Sequence, residues 1–287
     1  MFQFLLVPLL ASIVLLIITS YFGIHVIKRE IIFIDIALAQ VAALGGVFAI
    51  FLEHLLDLHG AEAGSFNTSG IITYLASLVF CLVAALIFTY LKNPRIKVPI
   101  EAFIGIAYAV ATTAAVIFLD KAAGGDVHVH DMLTGAILWT TWGQLARLAI
   151  VVALIGLFHF FFRDKFIALS EHYLSDKKPI DHFKRWDFLF YFSFSIVIIE
   201  AIHIGGILTI FAFLILPASV STLFSTRWDY RIMYGLISGI IATFAGLYLS
   251  WTLDVTSSPL IILGLGIILF LVLIVKGFLK QNTQITS

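Results

Sequence analysis

Three groups of side chains in this chain are of a type that holds cations. Glu200 and His203 lie three residues apart. On a helix they share a face, and Glu-x-x-His is a metal-ligand spacing of helical bundles. Gly205 and Gly206 follow at once and are expected to break the helix, freeing backbone carbonyls beside the carboxylate and the imidazole, as in the interrupted helices where transporters bind ions. Such a donor set suits Zn²⁺, Mn²⁺ or Fe²⁺ without choosing among them; the spacing equally fits a helix end with two wetted polar groups. Asp35 stands about one turn inside an apolar run, where an ionisable side chain is costly and points to function. Asp35, Ala39, Ala42 and Gly46 keep helical spacing, so a carboxylate is followed by small residues that let helices approach. Gln40 falls on another face, suited to a polar path or a bond to a neighbouring helix. The competing role for Asp35 is an interfacial pair with Lys28 or Arg29. His128, His130 and Asp131 form a third cluster, which reads more readily as a solvated loop than as a closed metal site.

The elements that must position these groups are membrane helices. Of 287 residues, 61% are hydrophobic and 12% charged, more apolar surface than a soluble core can use. A spanning helix needs about 20 mostly apolar residues. About nine segments qualify or nearly do: Phe4–Ile24, Ile31–Leu52, Ile71–Leu91, Ile100–Leu119, Leu145–Phe162, the short Phe188–Glu200, Gly205–Leu223, Ile232–Trp251 and Pro259–Phe278. Met132–Trp142 is too short to span and is expected at the membrane surface. The fold class is therefore all-α integral membrane, with eight to nine transmembrane helices in one domain over 1–287. Net charge is zero, so nothing points to nucleic acid, and the single cysteine, Cys81, excludes an intrachain disulfide.

Lys and Arg set the orientation. Lys28, Arg29, Lys92, Arg95 and Lys97, the basic residues between Arg163 and Arg185, then Arg227, Arg231, Lys276 and Lys280 all fall on one side if the N-terminus is outside and the C-terminus cytoplasmic, which leaves only Lys121 and Arg147 on the other. The outer loops then hold Glu53, His54, Asp57, His59, Glu62, Asp120, Asp126, His128, His130, Asp131 and Asp254. Such a face attracts divalent cations, although exclusion of basic residues by topology alone leaves the same composition.

The longest polar stretch, 163–186, is a charged island that must lie outside the bilayer. It has room for a short helix over Lys165, Phe166, Ile167, Ala168, Leu169, Ser170, Glu171, His172 and Tyr173, which Pro179 cannot continue. It reads as the surface where the membrane part meets something soluble. No P-loop occurs, nor any hydrolase or zincin motif, so the chain supplies neither ATP hydrolysis nor proteolysis of its own.

Four stretches, taken in order, resemble the membrane permease subunits of bacterial zinc/manganese/iron ABC importers. Ile34 through Gly45 is similar to that family's Asp-x-x-x-His helix followed by Gly; Glu101 through Ile106 to its acidic-x-x-Ile-Gly-Ile helix opening; Gly206 through Ala218 to its Gly-rich turn into a helix ending Pro-Ala; and Ser258-Pro259 to the opening of its last helix. Two departures stand out. Gln40 replaces the family's histidine at an offset one residue longer, and Tyr108 stands where some zinc importers have a second histidine. The resemblance implies a bacterial inner-membrane homodimer of permease chains, two ABC ATPase subunits that use the ATP, and a receptor protein that delivers the metal. No cofactor is bound permanently. Glu200, His203, Asp35 and Gln40 would line the metal path, and residues 165–173 would be the coupling helix that docks into the ATPase. A permease for an iron chelate or vitamin, and an ion-driven secondary metal carrier, are the alternatives. The first needs a wider polar or aromatic cavity and the second buried mid-membrane carboxylates.

Overall fold

The computed structural model describes residues 2–55, 68–91, 97–119, 137–172 and 183–285. These form nine α-helices and one short 3₁₀ turn, and among the described residues there is no strand. The helices are α1 (Phe2–Lys28), α2 (Ile34–Leu55), α3 (Thr68–Leu91), α4 (Ile100–Leu119), α5 (Trp142–Phe161), α6 (Arg163–His172), α7 (Phe183–Phe224), α8 (Trp228–Leu253) and α9 (Ser257–Ile285). All but α6 are long and apolar enough to cross a membrane, which makes eight candidate spans.

The sixth and seventh apolar segments prove to be one element. Helix α7 runs for 42 residues, which at 1.5 Å per residue is about 63 Å, twice a bilayer core. It is interrupted at Gly206, whose φ of 73° and ψ of 161° are not helical. The residues on either side are each numerous enough for one crossing, and this reconciles eight helices with nine apolar segments. The expected surface piece at Met132–Trp142 reduces, within the described residues, to the 3₁₀ turn Ile137–Trp139. A capping box follows it: Thr141 Oγ1 accepts from the Gln144 N–H at 3.3 Å, and Gln144 Oε1 accepts from the Thr141 N–H at 2.8 Å, which starts α5 three residues earlier than its first Leu.

The chain divides into two compact units, with boundaries inside α5 after Gly156 and inside α7 after Ile202. In one unit α8 packs against α1 and α9. There a Cβ on Gly246 would lie 2.6 Å from Ile261 Cγ1 and 2.8 Å from that residue's backbone, so glycine is what lets α8 and α9 touch. In the other unit α2 packs against α3 and α4. Several of the hydroxyls carried into apolar surroundings return to their own helices, as Ser12 does to the Pro8 carbonyl and Thr89 to the Ala85 carbonyl, at 2.8 and 2.7 Å. This satisfies them where water is excluded.

Candidate functional site

The polar island contributes helix α6, within two residues of the expected span; Tyr173 lies outside the described residues. Its two faces differ. Phe166, Leu169 and Ser170, at i, i+3 and i+4, are buried, whereas Asp164, Lys165, Ala168 and Glu171 are exposed. Phe166 stacks on His159 of α5, ring centroids 4.0 Å apart and 14° from parallel, and meets Trp186 edge-on at 5.6 Å. His159 is itself held: its Nε2 is 2.8 Å from Ser193 Oγ, and Ser193 Oγ donates to the Phe190 carbonyl at 3.1 Å.

Ser170 is where α6 meets charge. Arg29, the residue after α1, donates from Nε to Ser170 Oγ at 2.8 Å and from Nη1 to Asp187 Oδ1 at 3.0 Å. Its guanidinium carbon lies 3.5 Å from the centre of the Phe190 ring. Both charged side chains are out of contact with solvent, at 0% and 1% exposure. Glu30, the next residue, sits at a φ of 57°, which a side chain-bearing residue adopts at a cost. Sequence reading treats Arg29 as one of many basic charges that orient the chain and as a possible partner of Asp35; the structure pairs it with Asp187, and the guanidinium is among the largest fully buried side chains. The other suggested partner of Asp35, Lys28, lies 4.3 Å from the centre of the Trp228 ring.

Asp35 is in the first turn of α2, 2% exposed, with Oδ1 buried and without a hydrogen-bond partner among the described residues. Position near the helix N-terminus favours its negative charge. Gln40 is also buried, and Ala39 and Ala42 beside it. The small-residue stripe meets α3: Ser77 Oγ donates to the Ala42 carbonyl at 2.7 Å, and a Cβ on Gly46 would lie 3.1 Å from Thr73 Cγ2; beside the stripe, a Cβ on Gly45 would lie 2.8 Å from the Ala76 carbonyl oxygen and from Ser77 Cα. Tyr108 of α4 is 41% exposed.

Glu200 and His203 are both on α7, ahead of the Gly206 break, as the spacing predicts. Their surroundings differ, since Glu200 is 2% exposed and His203 is exposed. Among the described residues no three His, Cys, Asp or Glu side chains gather into a metal-holding cluster. His128, His130 and Asp131 lie outside the described residues. Asp254 caps α8 in a left-handed conformation, its N–H donating to the Ser250 carbonyl.

Sequence reading missed Asp187 and the cluster around it. The available signal was a lone carboxylate immediately before an apolar run, one residue past the polar island, a position where a charge needs a partner.

The model of the ABC 3 transport family matches residues 1–276. A curated "probable metal transport system membrane protein" of Chlamydia muridarum is 25% identical over 278 residues, covering 91% of this chain and 85% of that one. The "manganese import system permease protein ScaB" of Streptococcus parasanguinis is 23% identical over 226 residues, covering 76% and 77%. Among solved structures, "PsaBC from Streptococcus pneumoniae in complex with Fab" superposes with a TM-score of 0.72 at 23% identity, over 94% of this chain and 91% of that one.

Proposed function

The chain belongs to the ABC 3 transport family, and from that premise we propose that it imports divalent transition-metal ions across a bacterial inner membrane, with manganese as its foremost cargo. It is a multi-pass transport subunit and no enzyme; ATP is hydrolysed by a separate ATPase. The observation that carries the cargo is Asp35, a carboxylate buried in an apolar helix with one oxygen unpartnered. A cation in transit supplies the missing partner. Gln40 stands where the family pattern has a histidine and Tyr108 where some zinc importers have a second one, which shifts the donor set from imidazole toward oxygen. Oxygen donors suit Mn²⁺ better than Zn²⁺. The manganese in the name of one relative supports the same choice.

Asp35, Gln40, Glu200 and His203 are proposed as residues of the path, each binding weakly enough to let the ion leave. The outward N-terminus, the cytoplasmic C-terminus, the pairing of two permease chains, the receptor that delivers metal and the docking of α6 on the ATPase complete the proposal. The exposed face of α6, with Asp164, Lys165 and Glu171, supports the last of these.

The test is uptake of radioactive Mn²⁺ by cells lacking their own manganese importers and carrying this chain with its neighbouring ATPase and receptor genes. The expected result is ATP-dependent Mn²⁺ accumulation that excess Zn²⁺ inhibits only weakly. Absence of Mn²⁺, Zn²⁺ and Fe²⁺ uptake alike would overturn the proposal, and uptake of Zn²⁺ in preference to Mn²⁺ would overturn the choice of cargo. External labelling of Lys178→Cys in intact cells would reverse the orientation.

A further inference from the structure

We propose that Arg29 is a positioning residue for transport: a buried pin that makes α6 and the first turns of α7 move as one piece. The inference rests on the reading of α6 as the ATPase-docking helix. It goes further by naming what carries the docking movement into the membrane.

The geometry is that of a three-way joint. One guanidinium holds Ser170 of α6 through Nε and Asp187 of α7 through Nη1, and lies against the Phe190 ring of α7. Donors on two edges of one plane, with a face free to stack, are properties of arginine that lysine lacks. Phe166 adds an apolar contact on the same face of α6, edge-on to Trp186 and stacked on His159. The pin is also fixed from behind. Glu30 at a φ of 57° holds the turn after α1, and a costly backbone state persists only where the surroundings over-determine it.

Buried ion pairs are a poor means of gaining stability, because desolvation offsets most of the attraction. What such a pair does supply is a single allowed geometry. A slide of α6 relative to α7 would strand a buried guanidinium, so the two helices are locked in register. Helix α7 is the element that carries Glu200 and then breaks at Gly206. A push on the exposed face of α6 is therefore delivered along the helix that bears the proposed metal path, and is not dissipated at its base.

The test uses the full complex of permease, ATPase and receptor in proteoliposomes, with Mn²⁺ as the probe, scored as Mn²⁺ moved per ATP hydrolysed. Ser170→Ala removes the α6 arm of the joint and leaves the ion pair. Arg29→Lys keeps the charge on Asp187 and loses the fork. Each variant is expected to hydrolyse ATP and to lower the ratio roughly tenfold, the size of one hydrogen bond to a charged group. The double variant should be no worse than either single one, because both cut the same arm. Should Arg29→Lys fail to assemble, the paired replacement Arg29→Met with Asp187→Leu restores a packed, uncharged joint; it is expected to fold and hydrolyse ATP with the ratio still low. A wild-type ratio in Ser170→Ala, or additive losses in the double variant, overturns the pin. Failure of the wild-type complex to move Mn²⁺, Zn²⁺ or Fe²⁺ would instead overturn the functional reading on which it rests.

Discussion

Arg29 and Asp35 are six residues apart, both buried, both charged types, and they are treated in opposite ways. Arg29 is met by a carboxylate, a hydroxyl and an aromatic face. Asp35 keeps a buried oxygen with no hydrogen-bond partner. Leaving a polar atom in that state costs about 1–3 kcal/mol, which is why Asp35 is proposed for the metal path. A buried charge joined to an opposite charge fixes geometry, and a buried carboxylate without one is proposed to receive a cation. The contrast separates the part of the chain proposed to transmit movement from the part proposed to handle cargo.

The largest expected effect comes from unmeeting the first charge. Asp187→Ala strands the buried guanidinium and should cost roughly 3–5 kcal/mol, read as a lower melting temperature of the purified permease in detergent. Melting at the wild-type temperature would mean that Arg29 is not held as described. The second charge should behave otherwise. Asp35→Asn keeps the shape and removes the charge, so melting should scarcely change while Mn²⁺ uptake falls roughly ten- to hundredfold, the worth of a charge-assisted contact. Lost stability with intact uptake would make Asp35 structural and erase the contrast. The smallest effect concerns what holds the helix of Asp35 in place. Ser77→Ala deletes the bond to the Ala42 carbonyl and should cost about 0.6 kcal/mol, the usual yield of an interhelical bond in a membrane. A loss several times larger would show that the α2–α3 seam depends on that hydroxyl more than on close packing at Gly45.

Much of this was legible in the amino-acid sequence because a bilayer imposes a fixed length and polarity on whatever crosses it. Helices α1 to α5, α8 and α9 follow the apolar runs, and the short helix α6 follows from a polar island with a proline beyond it. The Ala42–Gly46 stripe also reads correctly as a close helix contact, for small residues at helical spacing have few other uses in lipid. Two features were not legible. The bond between Arg29 and Asp187 joins residues 158 positions apart, and hydropathy, a local quantity, scores each as an ordinary charge at the edge of an apolar run. The merging of two segments into α7 hides for a different reason: one residue changes the backbone without changing the polarity. Of the proposed path residues, Asp35 is the one whose cost in an apolar helix is visible without a structure. The spacing of Glu200 and His203 says nothing about their unequal burial, which neighbouring helices decide.

The interruption at Gly206 bears on how freely this gene can vary. A φ of 73° with a ψ of 161° lies in a region that only glycine enters at little cost. Every other amino acid would have to bend the backbone elsewhere or give up the break. The codon is thus locked by conformation alone, without charge, ligand or hydrogen bond. In a library sampling every substitution, position 206 would be as intolerant as any residue that touches the ion, and the reason would be written in its two dihedral angles.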